Sequence, residues 1–164
     1  MTDERLIFGA TGLDAATERY RVAERALISR PEDTRPVEAA VLECAWWCQM
    51  LNERLEKTAT GYREARSNDA AGQTVQGVRF ARNRYSHSPV VAVERVEGVT
   101  FPITFPASFG VRVIWRGVKA LGRDERDSKG QQRAYAELLA GRHVAETLAT
   151  ASRWFQRWGV PAGG

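Results

Sequence analysis

Arg82, Asn83 and His87, within the run Arg82-Asn83-Arg84-Tyr85-Ser86-His87, are the side chains of this 164-residue chain whose types and spacing best suit acid–base and phosphate chemistry. An imidazole titrates near neutral pH, so it can take up a proton and hand it on. A guanidinium keeps its charge and matches the oxygens of a phosphate. The Asn83 amide carries both a donor and an acceptor, suited to fixing the imidazole or touching a phosphate oxygen. Plainer readings stand beside this one. A histidine at a helix end more often bonds the last carbonyls, and an arginine on a helix is more often solvated.

The common catalytic signatures are absent: there is no glycine-rich phosphate loop, no histidine pair at metal spacing, no cysteine cluster and no serine elbow. No metal and no cofactor is expected. Cys44 and Cys48 lie four apart among apolar neighbours, which reads as a pair of reduced core residues rather than a metal or redox site. His143, the other histidine, has no comparable surroundings and reads as a surface or core residue of the last helix.

These side chains need a helix to carry them, and the pattern predicts one from about Gln73 to Ser86, with Val75, Val78, Ala81 and Tyr85 on its apolar stripe. Arg79, Arg82 and Arg84 decorate it, and Ser88-Pro89 stops it. His87 thus falls in the last turn, where the helix dipole favours the imidazolium. On a continuous helix Arg82 and His87 sit about 140° apart and diverge unless the last turn loosens toward Pro89.

Two longer helices precede this one. From about Thr11 to Ser29, Leu13, Ala16, Tyr20, Ala23 and Leu27 recur at spacings of three and four, with Thr11 or Asp14 as the expected cap and Arg30-Pro31 as the stop. From about Pro36 to Thr58, and on toward Arg66, Val37, Val41, Cys44, Cys48, Leu51 and Leu55 form a seam for an antiparallel neighbour. Trp46 and Trp47 widen that face; one can fill the core while the other reaches the surface, where a partner can cover it. Ser67 to Gly72 is small and polar and reads as a loop.

After Pro89 the pattern changes. Val90–Val93, Gly98–Phe101, Ile103–Phe105 and Val111–Trp115 are short β-branched or aromatic runs between Gly and Pro, an excursion with one or two hairpins. Leu121 to Gly130 reads as a charged, mobile loop. Helix returns at about Gln131–Leu139 and Arg142–Trp158, interrupted at Gly141, and Pro161 to Gly164 should fray. The fold class is therefore mainly α: a bundle of four to five helices in a single domain spanning 1–164, with a small β-rich excursion over about residues 90–116 after the third helix.

Composition limits the rest. At 43% hydrophobic, a chain of this length suits one compact domain. No apolar run nears the roughly 20 residues needed to cross a bilayer, and the start of the chain lacks the basic and apolar parts of a signal peptide, so a cytoplasmic protein without membrane contact is expected. The net charge of +4 is uneven. Residues 1–72 hold 10 Lys and Arg against 13 Asp and Glu, whereas 73–164 hold 14 against 7. The basic half carries the Arg-Asn-His run, which suits a polyanion, although on charge alone a solvated surface is the better reading.

Arg82-Asn83, three further residues and His87, near the end of a helix in a helical domain of this size, resemble the signature of the HEPN superfamily. That resemblance implies a small α-helical bundle that pairs as a homodimer, bringing two motifs into one cleft, and a metal-independent endoribonuclease of toxin–antitoxin, phage-defence or RNA-processing systems. By this analogy the 2′-hydroxyl of RNA attacks its adjacent phosphate, with His87 as general acid or base and Arg82 stabilising the phosphorane. Asn83 would orient His87 or bind the phosphate, Arg79 and Arg84 would position the RNA, and a cognate antitoxin protein would be a partner. The excursion after Pro89 is foreign to a minimal four-helix HEPN bundle and reads as an insertion that covers or shapes the cleft. The same residues also suit a catalytically silent module that binds RNA, a nucleotide or a protein, and, as a third class, a helical oligomerisation protein.

Overall fold

The computed structural model describes residues 3–96, 110–122 and 127–161, and of residues 95 and 96 only the backbone. The protein is mainly helical, with six α-helices and one two-stranded sheet among the described residues. Helix α1 (Glu4–Ala26) and helix α2 (Arg35–Thr58) form the first pair. Leu6, Ala10, Leu13, Ala16 and Tyr20 of α1 are buried, as are Val37, Val41, Cys44, Cys48, Leu51 and Leu55 of α2. Each of these leucines contributes about 1.5–3 kcal/mol by leaving water.

Helix α1 begins at Glu4 rather than near Thr11, because Asp3 supplies the cap and its carboxylate accepts the Arg5 N–H at 3.0 Å. Gly9 and Gly12, which weaken an isolated helix, are where α2 comes closest. A Cβ on Gly12 would lie 2.3 Å from Trp47 Cε2, and one on Gly9 would lie 2.7 Å from Leu51 Cδ2.

Helix α2 ends at Thr58 and does not run on to Arg66. Gly61, at φ +78°, breaks the chain, and a separate short helix α3 (Tyr62–Asn68) follows. The expected loop from Ser67 to Gly72 is not one. Asp69 alone separates α3 from helix α4 (Ala70–Tyr85), accepting the N–H groups of Ala71 at 2.8 Å and Gly72 at 3.4 Å. Its small residues serve close approach: a Cβ on Gly72 would lie 2.6 Å from the Arg66 Cα. Asn52, Glu56, Tyr62 and Arg66 form a largely buried polar network between α2 and α3, with Arg66 Nη1 donating to Asn52 Oδ1 at 2.5 Å and also to Glu56. Burial alone would raise the Glu56 pKa, but Arg66, Asn52 and Arg63 together hold it below the ordinary value.

Strands β1 (Val91–Val96) and β2 (Gly110–Trp115) pair antiparallel, with Val91 opposite Trp115 and Val96 opposite Gly110. The runs expected at Gly98–Phe101 and Ile103–Phe105 lie outside the described residues, as do residues 123–126 of the expected Leu121–Gly130 loop and residues 162–164 at the end. Leu121 itself closes a 3₁₀ turn (Val118–Leu121) and is fully buried. Helix α5 (Lys129–Leu138) packs on α4, where Gly77 would clash with Leu139 if it carried a Cβ. Gly141, at φ +74°, separates it from helix α6 (Val144–Arg157). His143 is the cap position of α6 rather than part of it.

Around the Gly141 turn, Trp115 N–H donates to the Arg142 carbonyl at 3.1 Å, Gly141 N–H donates to the Trp115 carbonyl at 2.9 Å, and Trp115 Nε1 donates to Thr147 Oγ1 at 2.6 Å. The sheet is thereby fixed to the bundle. Cys44 and Cys48 are free and buried, and burial pushes the Cys44 thiol up to about 12. Among the described residues no helix is long and apolar enough to cross a membrane.

Candidate functional site

Arg82 and Asn83 lie together on the outer face near the end of α4. Arg82 Nη1 donates to Asn83 Oδ1 at 3.3 Å, and that is its only described polar contact. Both line an open groove of about 870 Å³ between α2 and α4, which they share with Ala39, Leu42, Glu43, Trp46, Trp47, Tyr85 and Ser86. Glu43, on the rim, is engaged by Arg19, whose Nε donates to it at 2.9 Å.

The end of α4 follows from Arg84. Its carbonyl accepts the N–H of His87, three residues on, at 2.9 Å and of Ser88, four residues on, at 3.1 Å; the helix itself ends at Tyr85, so His87 lies in the turn beyond it rather than in its last turn. His87 is exposed and does not line the groove that Arg82 and Asn83 share. Ser86 Oγ donates to the Asn83 carbonyl at 3.4 Å, and Tyr85 packs half-buried against the core. Burial, and then the charge of Glu38, raise the Tyr85 pKa.

Arg84 faces inward, unlike its neighbours. It is 4% exposed, and its Nε and Nη2 donate to the Leu121 carbonyl at 3.1 and 2.5 Å. Its Nη1 stands 3.5 Å from Asp127 Oδ2. The guanidinium expected to position RNA is instead committed to the interior. Arg79, one turn before Arg82, is half-buried and lies outside the groove lining.

Two features escaped the sequence reading. The first is the aromatic wall beside Arg82. Trp46 is 48% exposed, and its ring meets Trp47 edge-on at 4.8 Å, while Trp47 meets Phe8 edge-on at 5.3 Å. Adjacent tryptophans raised the possibility of one at the surface, but nothing in the sequence set it beside Arg82. The second is a carboxylate shared by three elements. Glu24 Oε1 accepts from Tyr20 Oη at 2.7 Å and from Val113 N–H at 3.3 Å, and lies 2.7 Å from His143 Nε2. The Tyr20–Glu24 spacing is visible in the sequence, but a partner 119 residues away is not. Burial, and then this carboxylate, push the Tyr20 hydroxyl well above the ordinary tyrosine range.

Among the described residues no three His, Cys, Asp or Glu side chains are grouped to hold a metal ion. Comparison with family models, curated proteins and solved structures gives no match.

Proposed function

We propose that this chain is a metal-independent endoribonuclease of HEPN type that works as a homodimer. The observation that carries this reading is the placing of half-buried Arg82 and exposed Asn83 together on the groove wall, with His87 exposed a few residues later and no described polar contact on its ring. His87 does not line the groove that holds Arg82, so in this reading the reactive pair is Arg82 of one copy and His87 of the other.

An imidazole takes the proton from the ribose 2′-hydroxyl as its oxygen bonds to the adjacent phosphorus. The bond to the 5′-oxygen breaks, and that oxygen leaves with a proton, giving a 2′,3′-cyclic phosphate and a 5′-hydroxyl. Arg82 stabilises the charge that builds on the phosphorane oxygens, and Asn83 binds the phosphate beside it. The test is cleavage of single-stranded RNA in EDTA, abolished by Arg82→Ala and by His87→Ala in folded protein; intact RNA at high concentrations of the wild type counts against it. Unrestrained cleavage harms a host cell, so a toxin or phage-defence role with a cognate antitoxin belongs to the same proposal. It predicts growth arrest on expression, relieved by His87→Ala.

One observation favours a second reading. His87 stands outside a groove whose walls are largely aromatic and aliphatic, which suits a module that binds RNA or a nucleotide without turning it over. Binding without cleavage is its signature.

A further inference from the structure

We propose that the groove between α2 and α4 is a binding site for an unpaired nucleobase, which stacks on Trp46 while its flanking phosphate lies on Arg82 and Asn83. The proposal rests on the RNA-directed reading above and names the form of RNA that the site takes.

Trp46 is the starting point. A ring of this size left 48% exposed is expensive in water unless something covers it. Trp47 meets it edge-on at 83° and is itself met edge-on by Phe8 at 76°, so Trp46 is one plate of a three-ring aromatic cluster. Bases stack on such plates regardless of sequence, because every base has a π-face. Leu42 continues the apolar wall, and the volume of about 870 Å³ lies within the range of small-molecule sites.

The polar edge says what accompanies the base. Glu43 is the acidic group of the lining, and Arg19 already engages it. Arg82 has no acidic partner among the described residues, and Asn83 adds an amide. Among the described residues the groove therefore carries a positive charge with no acidic partner, beside an aromatic face. A purely apolar occupant would bury that guanidinium without a counter-charge, which is costly. A phosphate supplies the charge, and the base attached to it supplies the stack. Paired bases have both faces covered by their neighbours, so the fit is to single strands.

The test measures fluorescence anisotropy of a labelled ten-nucleotide single-stranded 2′-O-methyl RNA, which cannot be cleaved, and of the same strand in a duplex. Expected are tighter binding of the single strand, a loss of about tenfold in Trp46→Ala, and a smaller loss in Trp46→Phe, which keeps a ring. Arg82→Ala should weaken binding and flatten its salt dependence. Thermal melts identify any variant that has lost its fold, and Trp46→Phe stands in for Trp46→Ala if that one unfolds. Unchanged affinity in the Trp46 variants, or equal affinity for duplex, overturns the site. Dissociation of a dimer by Trp46→Ala with unchanged RNA binding also overturns it, because the groove is then a subunit interface. Failure here is distinct from failure of the nuclease reading. Trp46-dependent binding by a wild type that cleaves nothing keeps the site and removes the enzyme, whereas cleavage and binding both indifferent to Trp46 do the reverse.

Discussion

Arg84 holds the carbonyl of Leu121 from two nitrogens, at 3.1 and 2.5 Å, while its own carbonyl closes the turn that leads to His87. The residue in the middle of the Arg-Asn-His run thus belongs to the fold. Arg84→Ala should destabilise the protein by about 3 kcal/mol, since it removes a buried guanidinium and both of its hydrogen bonds to the Leu121 carbonyl. Arg82→Ala, half-buried on the groove wall with one described polar contact, should stay within about 0.5 kcal/mol of the wild type. Urea unfolding of the two variants measures the contrast, and equal losses would contradict it.

If each reactive pair draws Arg82 from one copy and His87 from the other, two dead variants should rescue each other. Arg82→Ala and His87→Ala should each lose about 10²–10⁴-fold in RNA cleavage. Mixed after subunit exchange, they form heterodimers with one doubly mutated pair and one intact pair. Recovery of activity in the mixture is the expected outcome, read by RNA cleavage in EDTA; a mixture as inactive as its parts would exclude pairing in trans.

Gly72 lies where α4 crosses the backbone of α3, with space for no side chain: a Cβ would stand 2.6 Å from the Arg66 Cα and 2.7 Å from its carbonyl oxygen. Backbone yields less readily than the end of a side chain. Gly72→Ala should cost about 3 kcal/mol, whereas Gly130→Ala, whose nearest neighbour would be 3.9 Å away, should not destabilise. Thermal unfolding of the pair checks the difference.

Asp69 caps α4 and accepts a hydrogen bond from Arg157 of α6 at 3.0 Å. The Arg157 bond, and then the N–H groups of Ala71 and Gly72, hold its carboxyl below the ordinary 3.8. Its contribution is therefore fully present above pH 3.8 and fades as the pH falls through the lower, folded value. Asp69→Ala should lose about 1 kcal/mol at neutral pH, and the gap to the wild type should shrink well below pH 3.8. Urea midpoints at the two pH values measure it; a gap that persists in acid would mean that the charge of Asp69 plays no part.

Much of the fold was legible because periodicity reports burial directly. The seam from Val37 to Leu55 is buried as its spacing predicted, and the switch from helical to β-branched patterning at Pro89 marks the passage from α4 to β1. Boundaries were lost wherever glycine or a polar run served packing. Gly9 and Gly12 sit inside α1 because Met50, Leu51 and Trp47 press on them, and Ser67 to Gly72 looked like a loop because close helix crossings and loops favour the same small residues. In the site, Arg79, Arg82 and Arg84 read alike in the sequence as decorating the helix, and of the three only Arg82 lines the groove. The inward turn of Arg84 did not follow from its spacing, since its acceptor lies 37 residues away.

The Glu24 carboxylate meets residues 89 and 119 positions away, and Trp154 Nε1 donates to Tyr62 Oη across 92. Contacts of that span form late, because the intervening chain must be ordered before they repay its closure. The α1–α2 pair can assemble from the first part of the chain alone, but its Glu24 has to wait for β2 and for the turn before α6. Helix α6 and the turn before it therefore close the structure, and a ribosome carrying every residue up to Gly141 would still hold an unfinished fold.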